Sequence, residues 1–503
     1  MSTGWGIAAV TLVSLATLTI GALTMRVSRT TSDFYVASRS VSPVLNSSAI
    51  GGEYLSAASF LGVAGLVLAN GPDMLWYPIG WTAGYLFLLV FVAAPLRRSG
   101  AYTVPDFAQL RLQSVAVRRA ATVLVVAVGW LYLLPQFQGA GLTLAVVTGA
   151  APWVGSVLVA VIVVVNVVAG GMRGITFVQA FQYWLKLSAL LVPAFFLLLA
   201  WQRDGRPSPV ADADWLLPTS GGDGMALYTT YSLLAATFLG TMGLPHVVVR
   251  FYTNPDGHAA RRTTLLVLGL LGGFYLLPTL YGVLGRIYAG DLVAGRAADT
   301  VVLALPGRLY DGTAADLLGA LVTAGAFAAF LSTSCGVTMA IAGVMGQSIN
   351  RWPPTARRVP PITALRVSAA ACVLVPLGLA LGSESVSVAS SVAFAFALAA
   401  STFSPLLVLG IWWRGLTAAG AMAGLAGGGV CAVAGSVVTL AAHPEGWAGA
   451  LLAQPAAWSA PVGFGLMIAV SLLTRGSVPP GTSRTMVRLH TPEHLDVDRS
   501  PAR

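Results

Sequence analysis

A carboxylate, a lysine and a run of hydroxyls draw attention in this chain because of where they fall. Of its 18 acids only Glu53 lies deep within a long apolar run. An ionisable side chain in such a run costs roughly 3 kcal/mol or more and asks for a reason. Glu53 follows Gly51-Gly52, a pair that weakens a helix and can leave carbonyls unpaired. Unwound backbone within a bilayer is tolerated only where it is buried in protein or lines a cavity. With the hydroxyls of Tyr54, Ser56 and Ser59 beside it, the cluster reads as a binding site; the plainer alternative is a protonated, hydrogen-bonded packing residue. Lys186 is the only lysine against 27 arginines, and it lies 13 residues after Arg173. That spacing is about 20 Å of helix, which puts it near mid-bilayer. A desolvated lysine can lose its proton and arginine effectively cannot, so the choice of lysine fits a functional cation as well as it fits one snorkelling to an interface. Ala329-Phe330-Leu331-Ser332-Thr333-Ser334 sets hydroxyls on an otherwise small and apolar segment. Hard cations take oxygen ligands, but serines in membrane helices also bond the preceding turn or join helices, and spacing leaves both readings open. A second glycine-interrupted stretch runs Phe238-Leu239-Gly240-Thr241-Met242-Gly243-Leu244-Pro245-His246. It places His246 at the cytoplasmic end of a span, where a structural role is favoured over proton transfer.

The elements that position these residues must be membrane helices. Hydrophobic residues make up 56% of the 503 and charged residues 9%, against roughly 25% charged in soluble domains. So few charges cannot cover a soluble surface of this size. Cys335, Cys372 and Cys431 are far apart within apolar runs, which gives neither a metal spacing nor a disulfide framework. The net charge of +10 comes from arginines spread over many short loops; a nucleic-acid footprint would gather on one face. No basic region precedes the first apolar run, so it is read as a span and not as a cleaved signal.

A span needs about 20 apolar residues. Thirteen runs qualify: 5–24, 44–69, 75–95, 120–148, 152–170, 174–200, 226–249, 263–289, 314–347, 363–382, 386–410, 416–441 and 457–474. With the N-terminus outside and the C-terminus cytoplasmic, 22 arginines fall inside and 5 outside (Arg203, Arg206, Arg286, Arg296 and Arg308), as the positive-inside rule requires of a cell-membrane protein. The plan is an extra helix and cytoplasmic loop (1–43), five helices (44–200), an extracellular loop (201–225), five more helices (226–410), two C-terminal helices (411–475) and a tail (476–503). The tail is too poor in apolar residues to fold alone and is expected to be a disordered cytoplasmic segment. Glycine interruptions fall in the first helix of each five-helix half, the pattern that marks a midplane site between inverted repeats.

Three stretches resemble the sodium–solute symporter family, within it the cation/acetate (monocarboxylate) branch. They are Gly52-Glu53-Tyr54-Leu55-Ser56-Ala57-Ala58-Ser59-Phe60-Leu61-Gly62, Gly243-Leu244-Pro245-His246-Val247-Val248-Val249-Arg250-Phe251-Tyr252, and Ala329-x-x-Ser332-Thr333. The loop Arg98-Ser99-Gly100-Ala101-Tyr102-Thr103-Val104-Pro105-Asp106-Phe107 also resembles that branch. The resemblance implies an all-α polytopic fold with an inverted-repeat core of five plus five helices. It also implies a Na⁺ site made by the carbonyls of Gly52, Leu55 and Ala329 and the hydroxyls of Ser332 and Thr333. The branch usually has Asp where this chain has Glu53, and its hydroxyl pair is not always kept, so H⁺ coupling, or use of both ions, stays open.

The function so implied is a cation-coupled symporter for a small organic anion, most simply a short-chain monocarboxylate such as acetate, propionate or pyruvate. The substrate would meet Glu53, Tyr54, Ser56 and Ser59 of the broken helix, Trp130, Tyr132 and Gln136 of the fourth span, Lys186, and Tyr231 of the seventh. No arginine is expected within the membrane to clamp the anion. A sodium-coupled proline-like symporter is the alternative, followed by a transporter-like sensor, although the 28-residue tail holds no signalling domain. An enzyme would need a constellation of groups that these separated residues do not make. No cofactor and no obligate protein partner is expected, only the coupling ion, the solute and the lipid bilayer.

Overall fold

The computed structural model describes residues 3–25, 31–209, 215, 224–293, 295–349, 359–382, 388–493 and 495. Among these residues the regular structure is all helical, without a strand. In chain order the principal helices are α1 (Thr3–Met25), α2 (Pro43–Tyr54), α3 (Val63–Asn70), α4 (Trp76–Phe87), α5 (Val115–Thr148), α6 (Pro152–Arg203), α7 (Gly224–Gly243), α8 (Pro245–Val249), α9 (Gly257–Tyr288), α10 (Gly312–Ile349), α11 (Pro361–Gly382), α12 (Val388–Trp412), α13 (Ala418–Ala442), α14 (Ala456–Leu473) and α15 (Thr482–His490). Several begin where a side chain can take an otherwise unpaired backbone N–H. Ser42, Ser114, Asp256 and Thr417 each accept one at the start of α2, α5, α9 and α13.

Eleven helical segments among the described residues are long and apolar enough to cross a membrane, where thirteen runs are expected from the sequence. The difference arises at two merged pairs. Runs 152–170 and 174–200 both lie in α6, whose 52 residues break at Gly171 with φ 55°. Unbroken, such a helix would be about 78 Å long, well over twice the roughly 30 Å of hydrocarbon. Run 75–95 and the latter part of 44–69 lie in one apolar stretch, Ala58–Ser99, which turns at Gly71 with φ 75°. The start of run 386–410 and most of loop 201–225 lie outside the described residues.

Helices α6 and α10 pack on each other and on α2, α7 packs on α12, and α1 lies against α6 and α10. Gln182 of α6 donates to the Thr17 hydroxyl of α1 over 3.0 Å, which ties the extra N-terminal helix to the core. The tail differs from expectation. Residues 482–490 form α15, whose Thr482 hydroxyl accepts from the buried Arg111 guanidinium and whose Arg488 donates to the Arg98 carbonyl. The reason is amphipathy on a short scale: Met486 and Leu489 are buried against the protein while the other face stays polar. Burial holds the Arg111 pKa down, to about 10.

Candidate functional site

The site grows out of two helix interruptions. Helix α2 stops at Tyr54, Leu55 and Ser56 leave helical geometry, and the chain resumes in a π-helical turn at Ala58–Gly62. Residue 52 must be glycine, because a Cβ there would run into the Gln179 carbonyl of α6. The second interruption follows α7. Leu244 is extended, and Pro245 starts α8 at a position where a missing N–H costs nothing.

A helix end leaves its last carbonyls without intrahelical partners, and its dipole is negative there. At the end of α2 the carbonyls of Gly51, Gly52, Glu53 and Leu55 each have a partner. The Leu55 N–H bonds the Gly51 carbonyl over 3.1 Å. The Thr333 hydroxyl of α10 donates to the Glu53 carbonyl over 2.5 Å. Lys186 of α6, fully buried, donates to the Gly52 carbonyl, to the Leu55 carbonyl over 2.7 Å and to the Ser332 hydroxyl over 2.9 Å. An ammonium has three N–H donors, and all three are used. On the far side of the break, the Gln136 side-chain oxygen accepts the Ala57 N–H over 3.0 Å and so caps the resumed helix.

The Glu53 carboxylate is paired elsewhere. Arg250, in the 3₁₀ turn Arg250–Thr253 after α8, is fully buried and donates to Glu53 at 2.6 Å. Its other nitrogens reach the Thr176 hydroxyl over 2.9 Å and the Gln179 side-chain oxygen. Gln179 in turn donates to the Ser332 carbonyl over 2.7 Å, joining α6 to α10. Gly336 makes room for the carboxylate, since a Cβ there would meet it. An arginine thus does enter the buried site, contrary to the expectation from sequence. Arg250 sits at the end of an apolar run and reaches inward by its long side chain.

Around the breaks lies a set of aromatic rings. Tyr54 bonds the Thr241 hydroxyl of α7 over 2.6 Å and meets Tyr85 edge-on, centroids 4.8 Å apart. Ser59 bonds the Tyr275 hydroxyl over 3.0 Å, and Tyr275 lies 5.7 Å from Trp81. Ser56 lies at the Tyr132 hydroxyl, and the Tyr132 ring is 4.7 Å from His246. Phe396 bridges Trp81 and Tyr132 at 5.8 and 6.0 Å. Trp81 Nε1, Tyr85 OH and His246 Nε2 are buried with no hydrogen-bond partner.

Glu53, Tyr54, Ser56, Ser59, Tyr132, Gln136 and Lys186 therefore come together around the break. Trp130 and Tyr231 do not. The Trp130 indole donates to the Cys372 carbonyl of α11, away from the break, and Tyr231 is 66% exposed on α7. His246, expected at a helix end, is buried at the site. The residues missed are Trp81, Tyr85, Tyr275, Phe396, Gln179 and Arg250. Tyr77, Trp81 and Tyr85 recur every four residues, one face of a helix, and that spacing was the available signal.

The expected Na⁺ ligands have other occupations. Gly52, Leu55 and Ser332 accept from Lys186, the Ser332 hydroxyl donates to the Ala329 carbonyl over 3.1 Å, and Thr333 donates to Glu53. A Na⁺ held by those oxygens would sit beside the ammonium. Two unit charges 4 Å apart repel by about 4 kcal/mol at an effective dielectric constant near 20. The residues present do not fit a sodium ion at this position.

Comparison with known proteins supplies the wider frame. The family model described as Sodium:solute symporter family matches residues 34–428. The uncharacterized symporter YwcA of Bacillus subtilis (strain 168) is 31% identical over 95% of this chain and 97% of its own length. Among solved structures, the substrate-bound outward-open state of a Na⁺-coupled sialic acid symporter superposes with a TM-score of 0.73 at 13% identity. It covers 93% of this chain and 98% of that one. Mhp1, a nucleobase-cation-symport-1 family transporter in a closed conformation with bromovinylhydantoin bound, does so at 0.56 and 12%, covering 92% and 99%. At such identities the likeness is one of fold: an inverted-repeat core of five plus five helices.

Proposed function

The chain belongs to the sodium:solute symporter family, and on that premise we propose that it is a secondary active symporter for a small organic anion, a short-chain monocarboxylate such as acetate, propionate or pyruvate. Inward cation flow would drive uptake. The family and the Na⁺-coupled structural relative support Na⁺ as the coupling ion, with H⁺ the alternative. The protein is a multi-pass membrane protein. We place it in the cell membrane with its N-terminus outside and its C-terminus cytoplasmic, since Arg39, Arg98, Arg111 and α15 meet at one end of the bundle.

The observation that carries the anion is a buried indole donor without an acceptor, set beside two further unpartnered polar atoms. Trp81 Nε1 can only donate, and with Tyr85 OH and His246 Nε2 it is buried and unpartnered. Each lies one side chain from the broken helix: Tyr85 on Tyr54, Trp81 through Tyr275 to Ser59, and His246 through Tyr132 to Ser56. A buried donor left unpaired costs about 1–3 kcal/mol, a cost that carboxylate oxygens would relieve. Charge agrees, because one carboxylate (Glu53) stands against two cations (Arg250 and Lys186). The Phe396 and Trp81 rings suit a short apolar tail, and a sugar would bring several hydroxyls that such rings cannot satisfy.

The test is uptake of labelled acetate into proteoliposomes holding the full chain. Unlabelled propionate should block it, while proline and galactose should not. Competition by proline without competition by propionate would replace the monocarboxylate with an amino acid.

A further inference from the structure

The family's sodium position is taken by a side chain in this protein. We infer that the cation at the first helix break is Lys186 itself, and that no sodium ion binds among Gly52, Leu55, Ala329, Ser332 and Thr333.

Every donor of Lys186 has an acceptor, and each of the five expected ligand oxygens has a hydrogen-bond partner. The three N–H groups of Lys186 meet two carbonyls at the end of α2 and one hydroxyl of α10. These are three of the five oxygens a sodium ion would need there. Of the other two, the Ala329 carbonyl accepts from the Ser332 hydroxyl, and the Thr333 hydroxyl gives its proton to the Glu53 carbonyl. The lysine carries the same single positive charge to the same negative helix end. It makes no ion pair with a carboxylate, because Glu53 is paired with Arg250; Glu53 acts on it only through space, and its hydrogen bonds all go to the helix end and the hydroxyl. It is also the only lysine in the chain, and arginine could not replace it: a planar guanidinium presents five donors in a rigid fork, not three on one compact nitrogen. Held from α6, this cation joins α2, α6 and α10 whether or not sodium is present. A sodium ion that drives transport in this chain must therefore bind elsewhere.

Sodium binding to the purified full-length protein tests this without any substrate, so its outcome is independent of the monocarboxylate reading. The melting temperature is compared in NaCl and in KCl at equal ionic strength. The wild type should show no sodium response that depends on Ser332. Lys186→Ala, which frees the oxygens and leaves space, should gain a sodium-specific rise of about 2 °C or more. Ser332→Ala in that background should abolish the rise. A wild-type sodium response lost in Ser332→Ala would overturn the inference, and that arm decides the matter even if Lys186→Ala cannot be purified. A wild-type response that survives Ser332→Ala puts sodium elsewhere and upholds it. A folded Lys186→Ala protein with no sodium response would overturn the idea that the lysine stands where sodium would bind.

Discussion

Arg250 and Lys186 approach the same half-helix, Arg250 from the turn beyond α8 and Lys186 from α6, and they are stabilised by different means. Arg250 meets a carboxylate and two neutral side-chain oxygens. Lys186 meets two backbone carbonyls and a hydroxyl, with no acid in contact. The first arrangement depends on its partner's side chain, whereas the second depends on the backbone conformation of Gly52–Leu55. Arg250 therefore fixes the position of Glu53, and Lys186 fixes the shape of the break. Changes to either should separate these two dependences.

The largest effect is expected at the ion pair. Arg250→Met leaves a buried carboxylate without its cation, which typically costs about 3–5 kcal/mol. Melting in detergent should show a large loss for Arg250→Met and a partial recovery in Glu53→Gln/Arg250→Met, because the second change removes the stranded charge. If the double variant is as unstable as the single one, Arg250 is holding Thr176 and Gln179 and not Glu53, and the contrast with Lys186 disappears.

Much of this arrangement was legible in the sequence, and the part that was not has one physical cause. Gly51-Gly52 and Gly243-Leu244-Pro245 announced both breaks, because glycine and proline act on the backbone locally. Glu53 and Lys186 announced themselves by rarity in apolar runs. Arg250 did not, since its backbone lies at the end of a run and only its side chain travels inward. Trp130 and Tyr231 failed similarly: being on the right helix says nothing about which way a side chain faces. The partners of Lys186 were hidden because they are carbonyls, which every residue has. The tail helix was missed because it is short, nine residues long, and is held by contacts to Arg98 and Arg111 some 370–390 positions earlier.

A smaller effect is expected from Lys186→Met, which removes a charge along with its donors and so strands only neutral acceptors. An unsatisfied buried acceptor costs about 1–3 kcal/mol, and the loss should fall below that of Arg250→Met. Lys186→Arg should be worse than Lys186→Met, because it keeps the charge and adds bulk among backbone atoms that cannot move aside. Equal melting temperatures for the arginine variant and the wild type would mean the pocket is looser than three matched hydrogen bonds imply.

Gly336→Ala probes the same neighbourhood from α10. The added methyl meets the Glu53 carboxylate, and overpacking of this kind costs about 1–3 kcal/mol. Glu53→Asp withdraws the carboxylate by one methylene and should soften the loss in a Gly336→Ala background. Additive losses in the melting temperatures of the two single variants and the double would show that the methyl is accommodated by a route that does not involve Glu53.

The smallest effect is expected at Tyr54→Phe, where hydroxyl accounting makes the sign clear. The Thr241 hydroxyl gives its single O–H to the Thr237 carbonyl over 2.7 Å, so Tyr54 must be the donor in the 2.6 Å bond between them. Removing that donor leaves Thr241 satisfied, and the phenyl ring keeps its edge-on contact with Tyr85. The loss should be about 0.5–1.5 kcal/mol, the ordinary net worth of one hydrogen bond, and the melting temperature should fall far less than in Arg250→Met. Acetate uptake gives a second readout, because this bond links the first broken helix to the second. A near-wild-type melting temperature with a changed maximal rate would assign the Tyr54 hydroxyl to the relative motion of the two helices. A melting loss as large as that of Arg250→Met would instead make this hydroxyl, and not the buried ion pair, the main tie between the two breaks.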